Sequence, residues 1–347
     1  MSNSCHDDFR QPLNTGLRTC ASILGIALYF LGSCPPAVAA GKLIKISIPG
    51  SSETVAYGIN DAGSITGAYG GDLGPMNGFI RTADGTVTTF NPPGSSVTYG
   101  YCINNEGTVA GTWFGPAGMP GHGFVRAANG TFISFDPDGS IDTEPYAISD
   151  SGALAGSYED ANYIWHGFAR SADGTLTTFD PKGSTGTEPL GINAAGTISG
   201  YFKDQDGAYR AFIRAADRSI TRFRVSGSPT LVWRINNSGT VVGSYIDTNE
   251  MNHGFLRAAD GTITRFDIAE DVSTEPNVIN DEGVIAGGYM DSKGIRRGFV
   301  RRPNGTIKTF HVGDTSETQT YAINTHGEVA GLYFVGARTI HAFLFNP

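Results

Sequence analysis

The sequence predicts an all-β fold made of repeated four-stranded sheets, and three observations predict it. Glycine accounts for 48 of 347 residues, roughly twice the average usage of about 7%. Because glycine costs ~1 kcal/mol per helical position relative to alanine, such a chain favours many tight turns over helices. The dipeptide Ile-Asn recurs at Ile59-Asn60, Ile103-Asn104, Ile192-Asn193, Ile235-Asn236, Ile279-Asn280 and Ile323-Asn324, with Ile148-Ser149 in the one gap. Successive spacings are 44, 45, 44, 43, 44 and 44 residues. Within each period, short alternating apolar runs are bounded by Asn, Asp and Gly, the pattern of strands joined by hairpins.

The repeat resolves into four strands, A to D. Ile-Asn-x-x-Gly reads as the end of strand A followed by a turn: the Asn side chain caps it, and the glycine (Gly63, Gly107, Gly152, Gly196, Gly239, Gly283, Gly327) supplies the left-handed residue. Strand B follows, as in Ser64-Ile65-Thr66-Gly67-Ala68-Tyr69. Its internal glycine marks close approach of a neighbour, expected to be an aromatic ring of the next sheet. An aromatic stands two residues after that glycine in every copy, from Tyr69 to Tyr333. Strand C carries a polar residue, Gly or Ala, and then Phe (Phe79 to Phe343). Asp84-Gly85 marks the C–D hairpin, and strand D ends on Phe90, Phe135, Phe179, Phe223, Phe266 or Phe310.

Large apolar residues occupy both faces of each predicted sheet, so each must lie between two others. Four-stranded sheets packed face to face around an axis make a propeller, here a seven-bladed β-propeller over residues 40–347. The last copy stops after strand C, at His341-Ala342-Phe343. The segment Gly41-Lys42-Leu43-Ile44-Lys45-Ile46 reads like a strand D, so the N-terminal strand is expected to complete the last blade and close the ring.

Residues 1–39 read as a signal peptide: Arg10 and Arg18, an apolar run from Ala21 to Leu31, then Ala37-Val38-Ala39. That run is shorter than the ~20 residues of a membrane span. A secreted or periplasmic location is expected. Leu31-Gly32-Ser33-Cys34 leaves open a lipoprotein anchored at Cys34. After cleavage only Cys102 remains, where other repeats carry small residues, and it is expected as a buried filler. Net charge is −9, with no basic run, which argues against nucleic acid as a partner.

The copies resemble the HAF repeat of extracellular bacterial proteins, in which Ile-Asn-x-x-Gly-x-Val-x-Gly precedes His-Ala-Phe. The last copy carries His341-Ala342-Phe343; others read His122-Gly123-Phe124, His166-Gly167-Phe168 and His253-Gly254-Phe255. The resemblance covers essentially the whole chain after the leader. It implies export and a repeat fold, and implies no mechanism. Asn77, Arg210 and Arg297 stand in place of the histidine, so that residue is not needed for a shared chemistry.

The histidines sit at one repeat position in different blades and are expected to make inter-blade hydrogen bonds rather than converge on a metal. The arginines after the strand C Phe (Arg81, Arg126, Arg170, Arg214, Arg257, Arg301) are expected to pair with the turn aspartates Asp84, Asp173, Asp217 and Asp260. Lys203-Asp204-Gln205-Asp206-Gly207 lacks the distal glutamate of a calcium loop and reads as a surface turn. No nucleophile elbow, phosphate loop or zinc spacing is present, and no metal or cofactor is expected.

Binding is expected on the face carrying the B–C and D–A connections, predicted to be long loops. Four residues before the repeat isoleucine, near the channel mouth, stand Tyr99, Glu144, Glu188, Glu275 and Gln319. Tyr163, Trp165 and Tyr209 lie in B–C loops and are placed to stack on sugar rings. These eight residues are the candidate ligand site of a monomeric, non-catalytic binding or adhesion module for an extracellular glycan or surface partner. Two other readings stay open: a polysaccharide hydrolase or lyase using the Glu144/Glu188/Glu275 rim, and a structural envelope or matrix protein.

Overall fold

Each Ile-Asn segment makes its turn as the repeat implies. In the computed structural model, Gly63 N donates to Asn60 O and Asn60 N to Ser64 O, both at 3.0 Å, and Asn60 Oδ1 accepts from Ser64 N at 2.9 Å. Gly63 sits at φ +72°, a conformation costly for any residue with a Cβ. The structure describes residues 41–347 apart from 72–73, 117, 271, 314–315 and 337–338. The expected leader over 1–39, and Cys34 within it, lie outside the described residues. No helix among the described residues is long and apolar enough to cross a membrane.

The strands follow in chain order. β1 (Lys42–Ile46) precedes β2 (Glu53–Ile59), β3 (Ile65–Gly70), β4 (Asn77–Arg81) and β5 (Val87–Phe90). Next come β6 (Val97–Ile103), β7 (Val109–Gly115), β8 (Gly118–Arg126) and β9 (Phe132–Phe135), then β10 (Ser140–Ile148), β11 (Leu154–Asp160), β12 (Trp165–Arg170) and β13 (Leu176–Phe179). β14 (Ser184–Ile192), β15 (Ile198–Asp204), β16 (Tyr209–Arg214) and β17 (Ile220–Phe223) follow, and after them β18 (Thr230–Ile235), β19 (Val241–Ile246), β20 (Asn252–Arg257) and β21 (Ile263–Phe266). The last are β22 (Thr274–Ile279), β23 (Ile285–Met290), β24 (Arg296–Arg301), β25 (Ile307–Phe310), β26 (Thr318–Ile323), β27 (Val329–Val335) and β28 (Thr339–Asn346).

β6 to β25 form five four-stranded antiparallel sheets in sequence order. The remaining strands share one eight-stranded sheet, β26-β27-β28-β2-β3-β4-β5, with β1 also on β28. β1 pairs antiparallel with β28 from Lys42 opposite Asn346 to Ile46 opposite Ala342. β2 touches β28 only through one parallel bridge, Glu53 to Ile340.

The internal glycine of strand B has a different neighbour from the one expected. A Cβ on Gly67 would lie 1.8 Å from the Val55 carbonyl oxygen and 2.9 Å from the Phe79 ring. Both belong to its own sheet. The cause is a bulge in strand A between Ala56 and Gly58, which pushes the strand A backbone onto strand B. The same carbonyl approach recurs from Gly111 to Gly331.

Sheets pack through aromatic rings. The strand D Phe of one sheet meets, edge-on, the fully buried strand C Phe of the next: Phe90 with Phe124 at 6.0 Å, Phe179 with Phe212 at 5.9 Å, Phe310 with Phe343 at 5.7 Å between centroids. Where β1 takes the strand D place, Ile46 shares a buried cluster with Phe79. The arginine after the strand C Phe lies over the preceding sheet's Phe: Arg126 over Phe90, Arg170 over Phe135, Arg214 over Phe179, at 5.3, 5.0 and 4.7 Å. The expected pairing with turn aspartates is met only at long range: Arg81, Arg170 and Arg257 act electrostatically on Asp84, Asp173 and Asp260, with no close ion pair among the described residues. Asp84 accepts its hydrogen bonds from Thr82 Oγ1 and Thr86 N, at 2.6 and 2.9 Å.

The histidines also depart from expectation. His122 and His166 each bond an aspartate of their own sheet, Asp136 and Asp180, through Nδ1 at 2.6 and 2.7 Å. It is the aspartate that reaches the next sheet, accepting from Thr143 Oγ1 at 2.8 Å and Thr187 Oγ1 at 2.5 Å. His253 pairs similarly with Asp267. Burial lowers its pKa, but Asp267 and Asp247 outweigh burial and hold it above the usual value.

The repeat asparagine joins the sheets at the channel. Asn60 Nδ2 donates to Asn104 O, Asn193 to Asn236 O, Asn236 to Asn280 O and Asn280 to Asn324 O, at 2.8–3.2 Å. Asn324 Nδ2 donates to Asn60 O at 3.2 Å, across 264 residues of sequence. Asn104 donates to Ser149 O, but Ser149 Oγ bonds Ser151 and its own turn.

Two outcomes follow. Ser149→Asn supplies the missing donor toward the 193 carbonyl and raises stability by about 1 kcal/mol, read as the shift in a chemical denaturation midpoint. Deleting residues 41–46 bares the β28 edge and exposes Ile44 and Ile46, so the truncated protein loses its cooperative melt and aggregates on size exclusion.

Candidate functional site

The strand A bulge decides what lines the axis. A regular strand alternates its side chains between faces, yet Tyr57, Gly58 and Ile59, three successive residues of β2, border the same cavity of about 180 Å³. The same holds for Tyr101-Cys102-Ile103, Tyr146-Ala147-Ile148 and Tyr321-Ala322-Ile323. Each of these strands is bulged two residues before its isoleucine. Residues of β2, β6, β10, β14, β18, β22 and β26 together enclose the cavity. A second space of about 180 Å³ lies on the asparagine side.

The bulged positions build an arc of tyrosines. Tyr57 meets Tyr321 at 5.6 Å and Tyr101 at 5.4 Å, and Tyr101 meets Tyr146 at 6.1 Å. Tyr99 stacks on Tyr101 at 5.9 Å with planes 6° apart. Burial, then the charge of Glu144, raises the Tyr101 and Tyr146 hydroxyl pKa values well above the ordinary value, so both remain protonated donors. On the opposite side Trp233 meets Tyr201 at 5.8 Å. Arg234 donates to the Leu190 and Trp233 carbonyls, and burial lowers its pKa to about 10. Burial pushes the Cys102 thiol up to about 12, which leaves it unreactive at neutral pH.

Four of the eight candidate residues gather on the tyrosine arc. Tyr99 is part of it; Tyr146 OH donates to Glu144 and Tyr321 OH to Gln319 Oε1, the latter at 2.6 Å. Glu188 accepts from Ser157 Oγ at 3.3 Å and acts electrostatically on Tyr146. Glu275 does not join them: it is 9% exposed, held by Arg296 and by Asn252 Nδ2 at 2.9 Å. Trp165 is buried in β12, and Tyr209 packs on Tyr201 at 5.5 Å. Tyr163 stands apart on a turn, 75% exposed. Tyr57, Tyr101, Tyr146 and Tyr321 were missed by sequence reasoning. Their signal was a repeat position two before the isoleucine, aromatic through only part of the ring.

The predicted long B–C loops are corrected. β11–β12, β15–β16, β19–β20 and β23–β24 are joined by four-residue turns opened by Asp160, Asp204, Asp247 and Asp291. Asp160 Oδ1 accepts from Asn162 N and Ile164 N at 2.8 and 3.0 Å, repeating the asparagine device of the A–B hairpin. The left-handed residue is Tyr163, Gly207, Glu250 or Gly294; with Tyr and Glu in two of the four, no glycine is shared by all these turns. Asp204 caps such a turn and pairs with Arg210, as the surface-turn reading expected.

No family model matches the chain, and no curated protein matches it. Among solved structures it is similar to virginiamycin B lyase from Staphylococcus aureus, with a TM-score of 0.58 and 13% identity, over 87% of this chain and 99% of that one. The fold is a β-propeller. The propeller also resembles a puromycin hydrolase (TM-score 0.57, 12% identity, 83% of this chain and 52% of that one). It resembles the acylaminoacyl peptidase of Pyrococcus horikoshii as well (0.56, 10%, 83% and 51%). It spans about half the length of these last two. At such identities the likeness is one of fold.

The geometry separates the two kinds of carboxylate. Glu275→Ala strands the mostly buried Arg296 and costs about 3 kcal/mol. Glu188→Gln keeps a group that accepts from Ser157 and leaves the melting temperature nearly unchanged. Parallel thermal melts of the two variants check the contrast.

Proposed function

We propose that this chain is a seven-bladed β-propeller that binds an extracellular glycan or a surface partner at one mouth of its channel, without catalysis. The single bridge between β2 and β28 supports reading the eight-stranded sheet as two blades in contact, with β1 as strand D of the seventh. The apolar run and Ala-x-Ala of the leader support export, with cleavage after residue 39. The His-Ala-Phe and Ile-Asn-x-x-Gly residues support kinship with HAF-repeat proteins.

The observation that carries the binding reading is the tyrosine arc of Tyr321, Tyr57, Tyr101 and Tyr146, stacked with Tyr99 and flanked by Glu144, Glu188 and Gln319. Aromatic faces take the C–H face of a sugar ring, and carboxylate and amide oxygens take its hydroxyls. Each channel cavity is about 180 Å³, below the roughly 300–1,000 Å³ of enclosed ligand pockets. The ligand therefore lies across the mouth. What supports the non-catalytic reading is that Glu275 is held by Arg296 and Asn252 instead of standing with Glu144 and Glu188.

Incubation with a polysaccharide panel tests this. The expected result is binding without new reducing ends or unsaturated product, weakened about tenfold by Tyr146→Ala. Turnover that disappears in Glu188→Gln would establish the hydrolase or lyase instead. Absence of binding across the panel would leave the envelope or matrix role.

A further inference from the structure

The fourth repeat breaks the symmetry of the ring in its charges. In three repeats the strand C histidine pairs with an aspartate just after strand D: His122 with Asp136, His166 with Asp180, His253 with Asp267. In the fourth repeat both positions are arginine, Arg210 and Arg224. Strand D adds Arg222, where the preceding repeat has Thr178, and the loop entering the repeat adds Lys182. An acceptor position has become a donor position.

These changes border a cleft of about 570 Å³ at the outer edge of the sheet β14–β17, within the size of ligand pockets. Phe202 and Phe223 also line it, together with Asp204 and Asp206. Asp204 is taken by Arg210, and Asp206 is exposed. Four cations against two carboxylates make the cleft positive on a chain of net charge −9. Arg222 and Arg224 have no carboxylate within ion-pair distance among the described residues. Arg222 Nη1 donates to Lys182 O at 2.8 Å and Arg224 Nε to Ser228 O at 3.4 Å. These bonds hold each head at the cleft while most of the five guanidinium donors remain for another acceptor.

We infer that this cleft is a second binding site, for an acidic ligand whose carboxylate, sulfate or phosphate group is forked by Arg222 and Arg224 beside Lys182 and whose ring or apolar part packs on the half-buried Phe223. It is separate from the channel mouth and does not depend on it.

Titration calorimetry in low salt tests the inference with an oligogalacturonate, dextran sulfate, inorganic phosphate and neutral dextran. The expected result is binding of at least one acidic probe, weakened more than tenfold from 50 to 200 mM salt, and no binding of neutral dextran. The variant Arg222→Thr/Arg224→Asp carries the residues that the preceding repeat has at these positions. It is expected to melt like the parent and bind at least tenfold more weakly, whereas Tyr146→Ala leaves acidic-probe binding unchanged. Should that variant not fold, Arg224→Gln alone is expected to weaken binding severalfold. The carboxylate, sulfate and phosphate arms tell which oxyanion is taken. Failure of the native protein to bind any acidic probe, or equal binding by a folded variant, overturns the inference and leaves the channel-mouth reading untouched.

Discussion

The asparagine after six of the seven repeat isoleucines acts at two levels at once. Its carbonyl oxygen accepts from the backbone four residues on and fixes the A–B hairpin; its NH2 donates to the main-chain carbonyl of the next sheet. The side chain is buried, so either bond left unmade would expose a desolvated polar group, at about 1–3 kcal/mol. Local turn and global stacking are therefore satisfied together or not at all. The bond from Asn324 to Asn60 extends that condition from neighbouring repeats to the two ends of the described chain.

Away from the axis, a second set of contacts meets the same requirement by other means. In six repeats the fully buried strand C Phe has the preceding sheet's strand D Phe against its edge, and an arginine spreads over that ring, as Arg214 does over Phe179. An arginine stem and a guanidinium plane cover apolar area while leaving charge near water. The histidine–aspartate–threonine chain adds polar bonds between adjacent sheets at the periphery.

Within so regular a frame, the features fit for recognition lie where repeats differ. The strand A bulge recurs in every repeat, but three successive residues line the axial cavity only in the four repeats that carry tyrosine there. Glu144, Glu188 and Gln319 gather beside those tyrosines, while Glu275 is taken by Arg296 into a buried pair. In the fourth repeat, exchange of His and Asp for two arginines converts a bonded pair into a cationic cleft.

The repeat period, the four strands, the A–B and C–D turns and the place of the N-terminal strand were legible in the sequence, because each rests on local spacing or on identity between copies. The buried, unreactive Cys102 was legible for the same reason. The tyrosine arc, the inter-sheet stacking of arginine on phenylalanine and the carbonyl packed on the strand B glycine were not. They depend on an extra residue in strand A and on which sheet lies next, and neither alters the pattern along the chain. The tight B–C turns were hidden too, since Tyr163 and Glu250 hold backbone conformations that ordinarily announce themselves as glycine. Periodicity is a property of one strand or one hairpin and is written along the chain. Which side chains meet across a channel or between sheets is set by the closing of the backbone, and only the folded structure decides it.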